Sequence, residues 1–204
     1  MRPPVTSPEG LPLKALLVVV LALLSSSLAG GQTSGPDQGQ LEDPFSRRGW
    51  HLEIGTHGAL ETWNYNLSHE EMLSAFTGIT YGVGKGVVLK IGSPLYYVWQ
   101  RGTDGWLFGL TWGARGRIVT RTRWSAFWEF EVGISEADTQ VPPRGTRFNY
   151  LALGGGGVTF RLWPGVHALG GVRWVHVSNN GLAGRDRNPD IEAVGPALGV
   201  LLAF

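Results

Sequence analysis

Trp106-Leu107-Phe108-Gly109-Leu110-Thr111-Trp112-Gly113-Ala114-Arg115-Gly116-Arg117-Ile118 is the stretch that decides the fold. Trp106, Phe108, Leu110, Trp112, Ala114 and Ile118 hold even positions, while Gly109, Thr111, Gly113, Arg115 and Arg117 lie between them. An extended strand imposes this repeat of two, because successive side chains point to opposite faces. One face is then large and apolar, the other small or charged. The next stretch repeats the pattern, with Trp124, Ala126, Trp128, Phe130 and Val132 set against Ser125, Glu129, Glu131 and Gly133, and Phe127 as an exception. An earlier one does so too, Trp50, Leu52 and Ile54 alternating with His51, Glu53 and Gly55.

Eight segments of this kind follow one another, at about 49–59, 74–84, 86–99, 105–119, 123–135, 147–161, 166–178 and 191–204. Short turns lie near Gly84-Lys85-Gly86, Thr120 to Arg123 and Trp163-Pro164-Gly165; longer polar loops span about 60–73, 100–104, 136–146 and 179–190. An even number of strands, with short turns at one end and longer loops at the other, is the plan of an all-β, eight-stranded antiparallel transmembrane barrel of the bacterial outer membrane. A soluble sandwich is the competing plan. The two differ in where the large apolar face points: inward in a sandwich, toward lipid in a small barrel whose interior is filled by small and polar residues. Arg115 and Arg117 on the fourth segment stand opposite Glu129 and Glu131 on the fifth, and Glu53, Lys90 and Arg173 share their face, a set able to cross-link a narrow lumen. Trp50, Trp99, Trp106, Trp124, Trp163 and Trp174 fall near segment ends, where interfacial girdles sit, and the chain closes on Phe204. These features favour the barrel.

Composition narrows the chemistry. The 204 residues include 31 Gly, 9 Trp and no Cys, with a formal charge of +1. Lack of cysteine removes disulfides, thiol nucleophiles and Cys-ligated metals, and the small charge gives no basic field for nucleic acid. Residues 1–29 read as a signal peptide: Arg2 and Lys14 lead into the apolar run Ala15 to Leu24, and Ser27-Leu28-Ala29 supplies small residues for cleavage. Residues 30–48, rich in Gly, Gln, Ser, Pro and Asp, read as a disordered leader, and 49–204 as the barrel.

Near the C-terminus lies Trp174-Val175-His176-Val177-Ser178-Asn179-Asn180-Gly181-Leu182, followed by Asn188-Pro189-Asp190-Ile191-Glu192. Strand residues i and i+2 lie roughly 6.6 Å apart on one face, so His176 and Ser178 can reach each other. Val172 and Trp174 share that face, whereas His167 and Arg173 lie opposite. In the last strand Glu192 is in phase with Val194, Leu198, Val200, Leu202 and Phe204. Imidazole, hydroxyl and carboxylate then all project outward at the loop end. Polar groups facing lipid are costly and require a reason, which a substrate embedded in the outer leaflet supplies.

The run His176-x-Ser178-Asn179-x-Gly181-Leu182, then Asn188, then Ile191-Glu192 at the start of a closing strand, resembles the lipid A 3-O-deacylases of the PagL type. The similarity is strongest over about 173–192; the other strands match in plan. The loop between Gly181 and Asn188 is about two residues longer than the family pattern and carries Arg185, Asp186 and Arg187. The resemblance implies an eight-stranded outer-membrane serine esterase that removes the 3-position acyl chain of lipid A. In it Ser178 is the nucleophile, His176 its general base and Glu192 the group orienting the imidazole. Asn188, with backbone groups around Asn179 to Gly181, would hold the oxyanion; turn chemistry explains Asn179 and Asn180 equally well. The implied partners are lipid A or lipopolysaccharide and the outer leaflet, with no metal and no cofactor; a homodimer is left open. Arg185 and Arg187 read as solvated loop charges with lipid A phosphates as the alternative. The competing function is a non-enzymatic structural or adhesive barrel in which the His-x-Ser run is accidental.

Other motifs are weaker. His69-Glu70-Glu71 begins like a zinc-protease helix, but Leu73 stands where a second His is needed. Gly82-Val83-Gly84-Lys85-Gly86 lacks the spacing of a phosphate loop, and Gly154 to Gly157 suit close approach of strands. His51, His57 and His167 fall in the lumen phase and read as hydrogen-bonded interior residues.

Overall fold

The computed structural model describes residues 43–62, 69–184 and 187–204. Eight strands run in chain order: β1 (Trp50–Glu61), β2 (Glu71–Gly84), β3 (Val87–Trp99), β4 (Gly105–Thr120), β5 (Trp124–Val141), β6 (Thr146–Trp163), β7 (Val166–Ser178) and β8 (Ile191–Ala203). Each pairs antiparallel with its sequence neighbours, and β8 pairs with β1, so the sheet closes into a barrel. Closure removes both sheet edges, the condition for strands to cross a bilayer with every backbone group paired. Among the described residues no helix is long and apolar enough to cross a membrane.

Alternation places the faces as expected. Trp106, Phe108, Leu110, Trp112, Trp124, Trp128, Phe130 and Val132 are exposed on the outside. Inside, Glu53, Lys90, Arg115, Glu129, Glu131 and Arg173 are buried and form one network at mid-height. Lys90 Nζ lies 2.9 Å from both the Glu53 and Glu131 carboxylates, Arg115 Nη2 2.6 Å from Glu129 Oε2, and Arg173 Nη2 2.6 Å from Glu129 Oε1. Phe127, the exception to alternation, points inward in phase with Ser125 and Glu129, and the Arg115 guanidinium sits 4.6 Å from its ring centre. Arg117 stands apart from this network, paired with Asp43 at 2.7 Å.

The interior differs from a uniformly small and polar lumen. Toward the loop end it is an apolar core that includes Met72, Tyr96, Leu107, Leu151, Val175, Val177 and Ile191. Toward the turn end Phe45, Val88, Phe127, Leu169 and Leu201 form a second one. Apolar, ionic and apolar layers therefore stack along the axis, and the wall encloses a packed core.

The boundary between the fifth and sixth strands differs most from the sequence reading. The polar stretch expected to be a loop over 136–146 continues as strand to Val141, leaving Pro142 to Gly145 as the connection. Asp138, Thr139 and Gln140 break the apolar alternation, but the inward positions Ala137 and Val141 remain buried, so the strand persists. A register shift between Glu136 and Val141 takes up the irregularity. The signal peptide, and the leader as far as residue 42, lie outside the described residues. Of the leader's remainder, Phe45 is 2% exposed, and Arg48 N–H donates to the Gly82 carbonyl at 2.7 Å.

Candidate active site

β7 and β8 are adjacent, and their register sets His176 directly opposite Glu192. His176 Nδ1 lies 2.8 Å from Glu192 Oε1, and His176 Nε2 lies 3.0 Å from Ser178 Oγ. Acid, imidazole and hydroxyl thus make one hydrogen-bonded line along the outer face near the loop end. The His176 and Glu192 side chains are 25% and 20% exposed, and Ser178 is 8% exposed. The face predicted from strand parity is the face observed.

Both oxygens of Glu192 are engaged, because the Trp174 indole N–H donates to Oε2. The Trp174 ring also stacks on the imidazole, with centroids 5.9 Å apart and planes 21° apart. Trp174 therefore orients the acid and backs the base. The sequence reading put Trp174 in the girdle and on the face of His176 and Ser178 but gave it no part in the relay, although it lies two positions before His176 on that face. The Glu192 carbonyl accepts from Thr62 N–H at 2.9 Å and from Thr62 Oγ1 at 3.0 Å, which ties the start of β8 to the end of β1.

The loop after Ser178 is held by Asn179, which is 1% exposed. Its N–H donates to Asn188 Oδ1 at 3.0 Å, its side-chain amide donates to the Arg187 carbonyl, and its Oδ1 accepts from Gly181 N–H at 2.9 Å. Asn180 and Gly181 adopt φ of 51° and 74°, the left-handed turn that Asn and Gly tolerate. The N–H groups of Asn179 and Gly181 are thus committed to the loop scaffold. Asn188 Nδ2, whose amide plane is fixed through Oδ1, and Asn180 N–H donate to no other described residue. Arg185 and Asp186 lie outside the described residues, and Arg187 is exposed.

Beside Ser178 a mainly apolar cleft of about 410 Å³ crosses the outer wall, lined by Trp112, Val132, Ile134, Tyr150 and Ala152 together with His176 and Ser178. It runs from β7 across β6 and β5 to β4. His176, Asp190 and Glu192 also each offer a ligand atom within 4.8 Å of the others. A divalent cation captured there would compete for Glu192 and the imidazole.

Neither a protein-family model nor a curated protein matches the chain. Solved structures do. Neisserial surface protein A aligns at TM-score 0.58 and 13% identity, covering 76% of this chain and 97% of that one. The N-terminal β-barrel domain of Pseudomonas aeruginosa OprF aligns at TM-score 0.50 and 13% identity, covering 78% and 98%. The outer membrane enzyme PagL aligns at TM-score 0.48 and 14% identity, covering 74% and 98%. Identities this low speak to fold alone, and no chemistry follows from them. With its apolar exterior and charged interior, the chain is an eight-stranded β-barrel of the bacterial outer membrane.

Proposed function

We propose that the protein is an outer-membrane serine esterase that hydrolyses the 3-position acyl ester of lipid A, releasing a 3-hydroxy fatty acid. The observation that carries this reading is the line Glu192–His176–Ser178 on the lipid-facing side of the wall, with an apolar cleft opening beside its hydroxyl. A pore or carrier would need its working groups inside, where the charged side chains pair with one another instead.

Ser178 Oγ attacks the ester carbonyl as its proton passes to His176 Nε2, and the imidazolium is stabilised through Nδ1–H by Glu192. The developing oxyanion accepts from Asn188 Nδ2 and Asn180 N–H. Collapse of the tetrahedral intermediate breaks the bond to the sugar oxygen, which takes the proton from His176. Water then gives a proton to His176 and attacks the acyl-enzyme, freeing the fatty acid and restoring Ser178. The acyl chain lies in the cleft between β4 and β7 throughout, so it need not leave hydrocarbon. A line of polar groups on a lipid face has no folding rationale, which supports a catalytic one.

Mass spectrometry of lipid A from cells expressing the protein tests the proposal. Loss of one hydroxyacyl chain is expected, and Ser178→Ala abolishes that loss. An unchanged lipid A profile with a folded barrel in the membrane would support a structural or adhesive role instead.

A further inference from the structure

A second dent in the outer wall lies on the other side of the relay. Its volume is about 340 Å³, and Leu60, Leu73, Trp99, Val194 and Pro196 surround it, with Gly58 among them. The dent has a local cause. The β1–β8 ladder pairs His57 with Ala197 and Leu60 with Val194 but makes no pairs between, where Pro196, lacking an N–H, cannot donate. A Cβ built on Gly58 meets nothing within 4 Å, so the wall is one side chain thinner there.

Its height matches that of the catalytic groups. Val194, on its rim, pairs with Trp174 on one side and with Leu60 on the other, and stands two residues along β8 from Glu192. From β7 to β1 is two interstrand steps, or about 10 Å. The Trp174–Glu192 pair therefore forms a ridge, with the first cleft on the β6 side and the second on the β1 side.

We infer that this second cleft receives another acyl chain of the same substrate molecule, so that a multi-chain lipid straddles the ridge with its scissile ester over Ser178. The inference rests on the esterase reading and adds to it a basis for substrate choice. A lipid carrying one chain can fill only the first cleft. A lipid whose chains hang from one headgroup fills both, and the second contact fixes which ester reaches the serine. Both clefts are formed by strand backbone and packed side chains, so binding there requires little ordering.

Gly58→Leu and Gly58→Ala, assayed as full-length protein in lipid, test this. Two substrates are compared: purified lipid A and a single-chain p-nitrophenyl acyl ester. The open space at Gly58 takes a Cβ without displacing a neighbour, and a thermal unfolding curve checks the barrel for both variants. With Gly58→Leu the ratio of kcat/KM for lipid A to that for the single-chain ester falls about tenfold, the effect of losing burial of about two methylenes. Gly58→Ala gives a smaller fall and serves if the leucine variant does not fold. A ratio unchanged in both variants, with wild-type protein active on both substrates, would overturn the inference, leaving ordinary bilayer lipid as the occupant and the esterase reading intact. A wild-type barrel inactive on both substrates would overturn the esterase reading itself, and this inference with it.

Discussion

Strand β7 carries two polar sites on opposite sides of one wall. Arg173 turns inward to Glu129, while His176, three residues on, turns outward to Glu192 and Ser178. Inside, Lys90, Arg115 and Arg173 meet Glu53, Glu129 and Glu131 almost out of reach of solvent. That network fills space and holds five strands together, and its charges compensate one another. Outside, the relay links only two neighbouring strands and faces the bilayer. Backbone pairing already joins β7 to β8, so the fold does not require it. A glutamate carboxylate thus serves stability on one face and, in the proposed function, chemistry on the other.

Substitutions on the two faces should separate accordingly. Ser178→Ala has the largest expected effect: deacylation in vitro falls by about 10⁴-fold or more, while the unfolding midpoint in urea stays at the wild-type value. Glu192→Gln keeps the shape of the acid but loses its charge; kcat falls by about 10³–10⁴-fold, again with little change in unfolding. Glu129→Leu should invert the pattern. Removing the carboxylate that Arg115 and Arg173 share leaves Arg115 with Glu53 alone and lowers stability by about 3 kcal/mol, read from unfolding in lipid vesicles, while the surviving folded fraction keeps its specific activity. Trp174→Phe removes the indole N–H but keeps a ring against His176, and kcat drops about tenfold, the worth of one hydrogen bond to a charged group, with KM nearly constant. The smallest effect is that of a chelator: EDTA leaves the rate unchanged because the proposed steps use no metal. If added Zn²⁺ inhibits, by capturing His176, Asp190 and Glu192, then Asp190→Asn should weaken that inhibition.

Much of this was legible from the sequence because a barrel wall writes itself in a repeat of two. The alternation from Trp106 to Ile118 and from Trp124 to Val132 gave strand positions, and parity alone put His176, Ser178 and Glu192 on one outward face. What was not legible has physical causes. β5 outlasts its apolar alternation because Asp138 and Gln140 face out beyond the apolar band, where a strand no longer needs apolar residues. The apolar core under the loops was hidden because Tyr96, Leu107, Val175 and Val177 sit in the phase assigned to small and polar residues, and their apolar character reads as noise in the pattern. Spacing left Asn179 open between an oxyanion role and turn chemistry, and its three hydrogen bonds serve the loop. Such a commitment depends on contacts across nine residues that spacing does not encode.

The central claim is that an outward-facing relay activates Ser178. Treating the purified barrel in lipid with a fluorophosphonate ester and mapping the adduct by peptide mass spectrometry tests it directly, because only a hydroxyl with a working base reacts readily. The account predicts a single adduct on Ser178 that disappears in His176→Ala. An unmodified Ser178 in folded wild-type protein, or an adduct that persists without the imidazole, would contradict it.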